Sequence, residues 1–205
     1  KGKTIKVGSI LDKKIINYLP KIKNSENKNF SILVLGGSQG AEVFGSVIPP
    51  AIKMIHDSGY KVEIFQQCIE NQKKLIEDFY EKNKIKSKIF IFHDNILDFI
   101  PLTDLAISRC GASTSAELVQ TLTPFIAVPL PDSIDNHQYL NADYYKKKGC
   151  CFLLEQNCFS SKNLFNLIME IIKNKNKLKN IYINIKKNSN KNVYLDIENK
   201  IRELI

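Results

Sequence analysis

Three short stretches of this chain combine glycine, small and polar residues in a way that suits a phosphorylated ligand. The first is Leu35-Gly36-Gly37-Ser38-Gln39-Gly40-Ala41. Glycine lets the backbone turn tightly and approach a ligand. A helix starting just after such a turn offers unpaired N–H groups and the positive end of its dipole. Gly37, Ser38, Gln39 and Gly40 are therefore candidate phosphate contacts. The stretch is not a Walker loop, because no Gly-Lys-Ser/Thr follows. Ser38 and Gln39 also break the GxGxxG spacing. A purely structural tight turn is the alternative.

The second stretch runs from Ser108 through Arg109, Cys110, Gly111, Ala112, Ser113 and Thr114 to Glu117. It reads as a small polar turn that opens a helix, with N–H groups facing phosphate. A carboxylate at Glu117 can accept both hydroxyls of a ribose. Thr114-x-x-Glu117 also matches a capping box, which would make both residues structural. The third stretch is Pro129-Leu130-Pro131 followed by Asp135-Asn136-His137-Gln138. The amide of Gln138 has two donors and one acceptor with which to read sugar hydroxyls, and His137 could donate beside it. Here too a cap is the alternative, with Asp135 capping a helix whose third residue is Gln138.

These stretches need a scaffold, and the hydrophobic pattern supplies one. Residues 31–35 form a continuous apolar run, the mark of a strand buried on both faces. Val43, Val47, Ile48, Ala51, Ile52 and Ile55 then follow at helical spacing. The alternation continues: strand 61–66, helix 71–83, strand 88–92, short helix 95–100, strand 104–108, helix 114–122, strand 125–128, helix 136–148, strand 151–154, helix 161–173. Such alternation predicts an α/β fold, a Rossmann-like parallel sheet with helices on both faces. In such sheets ligands bind beyond the carboxyl ends of the strands, where all three stretches fall. Residues 1–29 read as a connector with a first strand (Ile5 to Ile10), residues 30–173 as the ligand-binding domain, and residues 174–205 as a helical tail. The tail ends in an apolar stripe, Val193, Ile197, Ile201 and Leu204. That stripe either packs on this domain or docks on another.

Composition narrows the function classes. With 205 residues, 43% of them hydrophobic, the chain can bury a core, and disorder is not expected. No apolar run approaches the ~18–20 residues that cross a bilayer. No signal peptide is apparent, and the lack of an initial Met reads as a piece of a longer polypeptide. The five cysteines include no CxxC pair, which argues against a disulfide framework or zinc site and fits a reducing cytoplasm with small buried thiols. The net charge of +9 raises nucleic acid and anionic membranes as partners. No aromatic residues interleave with the lysines at a spacing for base stacking, so no nucleic-acid partner is expected.

Taken together and in order, the three stretches closely resemble the donor-binding C-terminal domain of the peptidoglycan N-acetylglucosaminyltransferases, glycosyltransferase family 28, which have the two-domain GT-B architecture. The resemblance runs from about Val7 to Leu154. It implies that the chain is one half of a GT-B enzyme and binds UDP-N-acetylglucosamine. Glu117 would hold the ribose hydroxyls. Gly111, Ala112, Ser113 and Thr114 would serve the diphosphate, together with Gly37, Ser38, Gln39 and Gly40. Gln138 and His137 would hold the sugar, and the backbone of His93 would read uracil. The implied reaction transfers N-acetylglucosamine, with inversion, to the lipid-linked acceptor lipid I, giving lipid II. No metal or cofactor is implied. The general base and lipid I site would lie on a separate N-terminal domain, and the intact enzyme would sit peripherally on the inner face of the cell membrane. Three departures stand out. The family's Gly-Asn-Pro-Val-Arg is Gly8-Ser9-Ile10-Leu11-Asp12 here, so the arginine that helps hold uracil is replaced by Asp12. The first of the family's paired glutamines is His137, and its His-Gln-Thr-Gly is Gln66-Gln67-Cys68-Ile69. A standalone catalytic subunit of a two-component transferase and a non-enzymatic nucleotide-binding module are the other readings.

Overall fold

A computed structural model describes residues 9–20, 29–37, 41–189 and 193–203. Six strands form one fully parallel sheet: β1 (Phe30–Leu35), β2 (Val62–Gln67), β3 (Lys86–Phe90), β4 (Leu105–Ser108), β5 (Phe125–Ala127) and β6 (Cys151–Leu153). Their spatial order is β3-β2-β1-β4-β5-β6. The chain moves outward from β1 in one direction, then returns to lay β4 on the other side. The connections therefore diverge between β1 and β4, leaving a crevice at their carboxyl ends. Leu35 lies opposite Ser108 in the register, so two of the chemistry-bearing turns leave the sheet side by side.

The helices are α1 (Lys13–Ile16), α2 (Glu42–Asp57), α3 (Lys73–Lys82), α4 (Ala112–Gln120), α5 (His137–Lys147), α6 (Ser161–Lys173), α7 (Lys175–Asn188) and α8 (Val193–Arg202). Side chains alternate across a strand. Ile32 and Val34 point to a core closed by Phe44, Ile48 and Ile52 of α2, Ile76 and Tyr80 of α3, and Leu164 and Ile168 of α6. Leu33 points the other way, to Leu118 of α4, Ala142 of α5, and Ile181 and Ile185 of α7. At Gly45 of α2 an added Cβ would meet the end of the Gln72 side chain, which would have to move aside.

The observed boundaries differ from the sequence reading in informative ways. β3 begins and ends two residues earlier than 88–92, because its apolar tail does not go to the core: Phe92 is 71% exposed. Residues 95–100 form two 3-10 turns, Ile96–Asp98 and Ile100–Leu102. Most of the Ile5 to Ile10 alternation and part of the tail stripe lie outside the described residues. Ser9 and Ile10 are not in a strand, and the connector instead forms α1. Ile201 of the stripe is 52% exposed, while the Tyr194 hydroxyl of α8 donates to the Leu11 carbonyl at 2.9 Å. Four cysteines are buried as expected, but Cys158 is exposed.

Candidate functional site

At the β1 end, Gly37 adopts φ 81°, a left-handed conformation natural to glycine, and turns the chain out of the sheet. The turn is held by a residue to which the sequence alone gave no role. Gln67, the last residue of β2, accepts from Gly36 N–H at 3.0 Å. Its amide donates to the carbonyls of Gly37 at 3.2 Å and Ile91 at 3.1 Å. One side chain thus fixes the glycine turn against the β3 end. Ser38, Gln39 and Gly40 lie outside the described residues.

Beside this turn, α4 starts at Ala112 with Gly111 in the capping position and no side chain bonded to its first N–H groups. The capping-box alternative therefore fails, because the helix begins two residues before Thr114. Ala112 and Ser113 are exposed and Thr114 half-buried. The uncapped first turn faces the crevice with its N–H groups and dipole available to an anion. Glu117 lies three residues beyond Thr114, on the same helix face. Burial raises its carboxyl pKa, and Asp12 adds to the rise. The closeness of Asp12 follows from packing: Leu11 and Ile15 sit on Ala116. Asp12 itself caps α1, accepting from Lys14 N–H at 2.6 Å.

Two cavities lie over the carboxyl ends of the strands, and one of them reaches Thr114 of α4. One, of about 240 Å³, lies over the β1, β2 and β3 ends. It is lined by Leu35, Gly37, Gln67, Phe90, Phe92, His93, Ile96, Phe99 and Thr114. Its floor is a ring stack: Phe90 and Phe99 are 4.8 Å apart and inclined by 9°, and His93 lies 4.6 Å from Phe99. His93 Nε2 pairs with Asp98 at 2.8 Å, so its ring is held. The backbone N–H and C=O of His93 have no hydrogen-bond partner among the described residues. A planar base with donor and acceptor edges suits such a wall.

The other cavity, of about 330 Å³, lies over the β5 and β6 ends. Its walls are Pro129, Leu130, Pro131, Asn136, Tyr139, Glu155, Gln156 and Asn157. Gln138 stands between the two cavities. Its Oε1 accepts from the N–H groups of Cys110 and Leu130, both at 3.1 Å. Asn141 donates to the Cys110 carbonyl at 3.0 Å. With its oxygen engaged twice, Gln138 keeps its two amide hydrogens for a ligand. The Asp135 cap is not observed: Asp135 and Asn136 both have positive φ (50° and 54°), and it is the Ser133 hydroxyl that accepts from the N–H of Gln138, in the first turn of α5, at 3.2 Å. His137 Nδ1 is 2.7 Å from the Ile134 carbonyl, which can only accept, so Nδ1 donates there.

Arg109 braces this half. It is buried, and its guanidinium donates to the carbonyls of Val128 at 3.2 Å and Pro129 at 3.1 Å and to Gln156 Oε1 at 2.6 Å. It also lies 5.0 Å from the Phe44 ring. Burial lowers its pKa, and no carboxylate pairs with it among the described residues. Gln67 and Gln156 sit at strand ends, so the rule that singled out the three stretches could have found them. No group of three or more potential metal ligands occurs among the described residues.

A doubly wound α/β domain with an uncapped helix start at its topological switch point is the framework of a nucleotide-binding protein. The family can be named as well: residues 31–197 match the glycosyltransferase family 28 C-terminal domain, and the chain belongs to that family. It is 37% identical over 182 residues to a UDP-N-acetylglucosamine--N-acetylmuramyl-(pentapeptide) pyrophosphoryl-undecaprenol N-acetylglucosamine transferase of Pelagibacter ubique, covering 89% of this chain and 51% of that protein. A Rickettsia bellii protein of the same name is 36% identical, covering 100% of this chain and 58% of its own. The chain thus spans about half the length of the curated relatives it matches. The crystal structure of MurG from Acinetobacter baumannii superposes with a TM-score of 0.79 at 24% identity, over 92% of this chain and 55% of that one. That likeness shows the shared fold.

Proposed function

We propose that this chain is the donor half of an inverting transferase that moves N-acetylglucosamine from UDP-N-acetylglucosamine to lipid I, forming lipid II. The observation that carries the reading is the uncapped start of α4 beside an aromatic cavity that Thr114 helps to line. Uracil would lie on the Phe90, Phe99 and His93 side with its edge on the His93 backbone. Ribose would reach Glu117, the diphosphate would face Gly37 and the Gly111–Thr114 turn, and the sugar would meet Gln138 and His137. Ser38, Gln39 and Gly40 belong to the proposed phosphate loop.

In the reaction, the acceptor hydroxyl attacks the anomeric carbon as the bond to the UDP oxygen breaks. Negative charge grows on the departing diphosphate. Fixed N–H groups at the α4 start, aimed at those oxygens, would stabilise the charge without reorganising. This manner of stabilisation calls for no metal. The base that takes the hydroxyl proton and the lipid I site are assigned to the part of the enzyme beyond these residues. The intact protein would work peripherally on the inner membrane face; no helix among the described residues is long and apolar enough to cross a membrane.

The test has two arms. Calorimetric titration of this chain with UDP-N-acetylglucosamine should give saturable binding, which Glu117→Ala weakens on the order of 100-fold. The full-length protein should convert lipid I to lipid II, while this chain alone should not. A failure to bind UDP-sugar, or lipid II formation by this chain alone, would overturn the division of labour.

A further inference from the structure

The cavity over the β5 and β6 ends is lined by polar groups that the fold leaves unused. The side chains of Asn136, Tyr139, Glu155 and Asn157 make no hydrogen bond or ion pair among the described residues. Gln156 adds half of an amide. The Arg109 guanidinium can only donate, so the atom it holds at 2.6 Å is the Gln156 oxygen. The nitrogen of that amide has no partner among the described residues and is left for the cavity that Gln156 lines. The proline wall is fixed and has no backbone hydrogen to give. Pro129 and Pro131 have no N–H, and that of Leu130 is held by Gln138 at 3.1 Å. Arg109 clamps the same stretch through the carbonyls of Val128 and Pro129. The cavity is thus formed before any ligand arrives, which lowers the cost of ordering it on binding.

These features select among ligands. Glu155 is the charged residue of the lining, and an unpaired carboxylate repels phosphate, so the cavity does not extend the proposed diphosphate site. A carboxylate, amides and a phenol around prolines and Leu130 suit a ligand with N–H groups, carbonyls and a cationic side chain, which is a peptide. Its place in the fold agrees. Asn136 and Tyr139 flank His137 and Gln138 in the chain, and Leu130 both lines the cavity and donates to Gln138. The cavity therefore begins where the proposed donor-sugar contacts end. In the proposed reaction a muramyl sugar meets the donor sugar there, and the peptide it carries starts within a ring's width of the meeting point. We propose that this cavity seats part of the acceptor's peptide, with Glu155 facing a free amino group. At about 330 Å³ it is at the small end of ligand sites, so it takes a segment of the peptide and not the whole. The inference rests on the donor reading for the placement of the two sugars. It divides the acceptor between the halves of the enzyme, with lipid and sugar on the other half and peptide on this one.

The test is ligand-observed NMR titration of the full-length protein with three soluble probes: N-acetylmuramic acid, an N-acetylmuramyl pentapeptide containing one lysine, and the same peptide with that lysine acetylated. The lysine peptide should bind roughly 10-fold more tightly than the bare sugar. Glu155→Gln should weaken the lysine peptide about 3- to 5-fold and leave the acetylated one unchanged. Tyr139→Phe combined with Asn157→Ala should weaken both peptides roughly 10-fold and spare the bare sugar. Equal affinity for sugar with and without peptide would overturn the proposal, and so would a Glu155→Gln loss that acetylation does not remove. UDP-N-acetylglucosamine titrated in parallel keeps the two readings apart. Its failure to bind the parent protein would overturn the donor assignment. Its loss in the cavity variants alone would overturn this proposal, because the cavity would then belong to the donor site. Unchanged donor binding in the variants shows that their fold survives.

Discussion

The two cavities over the strand ends are built from opposite materials. The one over β1, β2 and β3 rests on stacked rings and has a single amide, Gln67, whose polar atoms all bond backbone. The one over β5 and β6 is walled by prolines, Leu130, amides, Tyr139 and Glu155, and braced from beneath by Arg109. A ring stack accepts a flat apolar face and leaves edge recognition to backbone. Amides recognise hydroxyls one at a time. One sheet edge thus carries two kinds of recognition, joined by a helix start that suits neither a base nor a sugar but an anion.

Substitutions can break this comparison in order of expected effect. Glu117 sits by the junction, so Glu117→Ala should weaken UDP and UDP-N-acetylglucosamine alike, on the order of 100-fold by calorimetry, as two hydrogen bonds to a charged group are lost. Gln138→Ala should cost roughly 10- to 30-fold for UDP-N-acetylglucosamine and leave UDP nearly unaffected, a split that competition binding reads directly. It should also lower unfolding stability by about 1–3 kcal/mol, since the N–H groups of Cys110 and Leu130 lose their acceptor. Gln67→Ala should show no such split, weakening uridine, UDP and the UDP-sugar by a common factor of about 10, because the glycine turn and the β3 end come apart.

The smallest effect is in pH. Burial, and then Asp12, hold the Glu117 carboxyl above its ordinary pKa. Donor binding that needs the carboxylate should therefore fall off above the ordinary carboxylate range as pH drops from neutrality. Asp12→Asn should move that decline to lower pH in a titration series. Stability runs the other way. A raised carboxyl contributes stability below its ordinary pKa and loses it as pH rises through the folded value. Glu117→Gln should thus raise the neutral-pH melting temperature slightly, on the order of 1–3 °C, while donor binding is lost.

Much of this architecture could be read in the sequence because each strand ends in a run whose chemistry changes abruptly. Leu35 gives way to two glycines and Ser108 to a small polar turn, and the strand-end rule then locates the crevice. The reading failed where one signal had two causes. The apolar run through Phe92 reads as strand, yet Phe92 is exposed beside the ring-walled cavity: apolar residues gather around ligands as well as in cores. On α7 the buried Ile181 and Ile185 stand in a helix whose nine lysines and asparagines and exposed Tyr182 and Ile183 hide the buried face. Thr114 and Glu117 have the spacing of a capping box, and only the observed helix start separates a cap from a free first turn. Arg109 could be seen but not interpreted, since its partners lie 19 to 47 residues further along the chain.

The two bonds made by the Gln138 oxygen have one more consequence. They divide a single amide into a plug and a label: the oxygen seats the helix on two backbone N–H groups, and the nitrogen faces whatever arrives. A glutamate would fill that socket equally well, since either carboxylate oxygen can take both N–H groups, but it would present an acceptor where the glutamine presents donors. Folding and recognition are therefore separately heritable at this position. A lineage could change which sugar it prefers there by one substitution that its scaffold would not register.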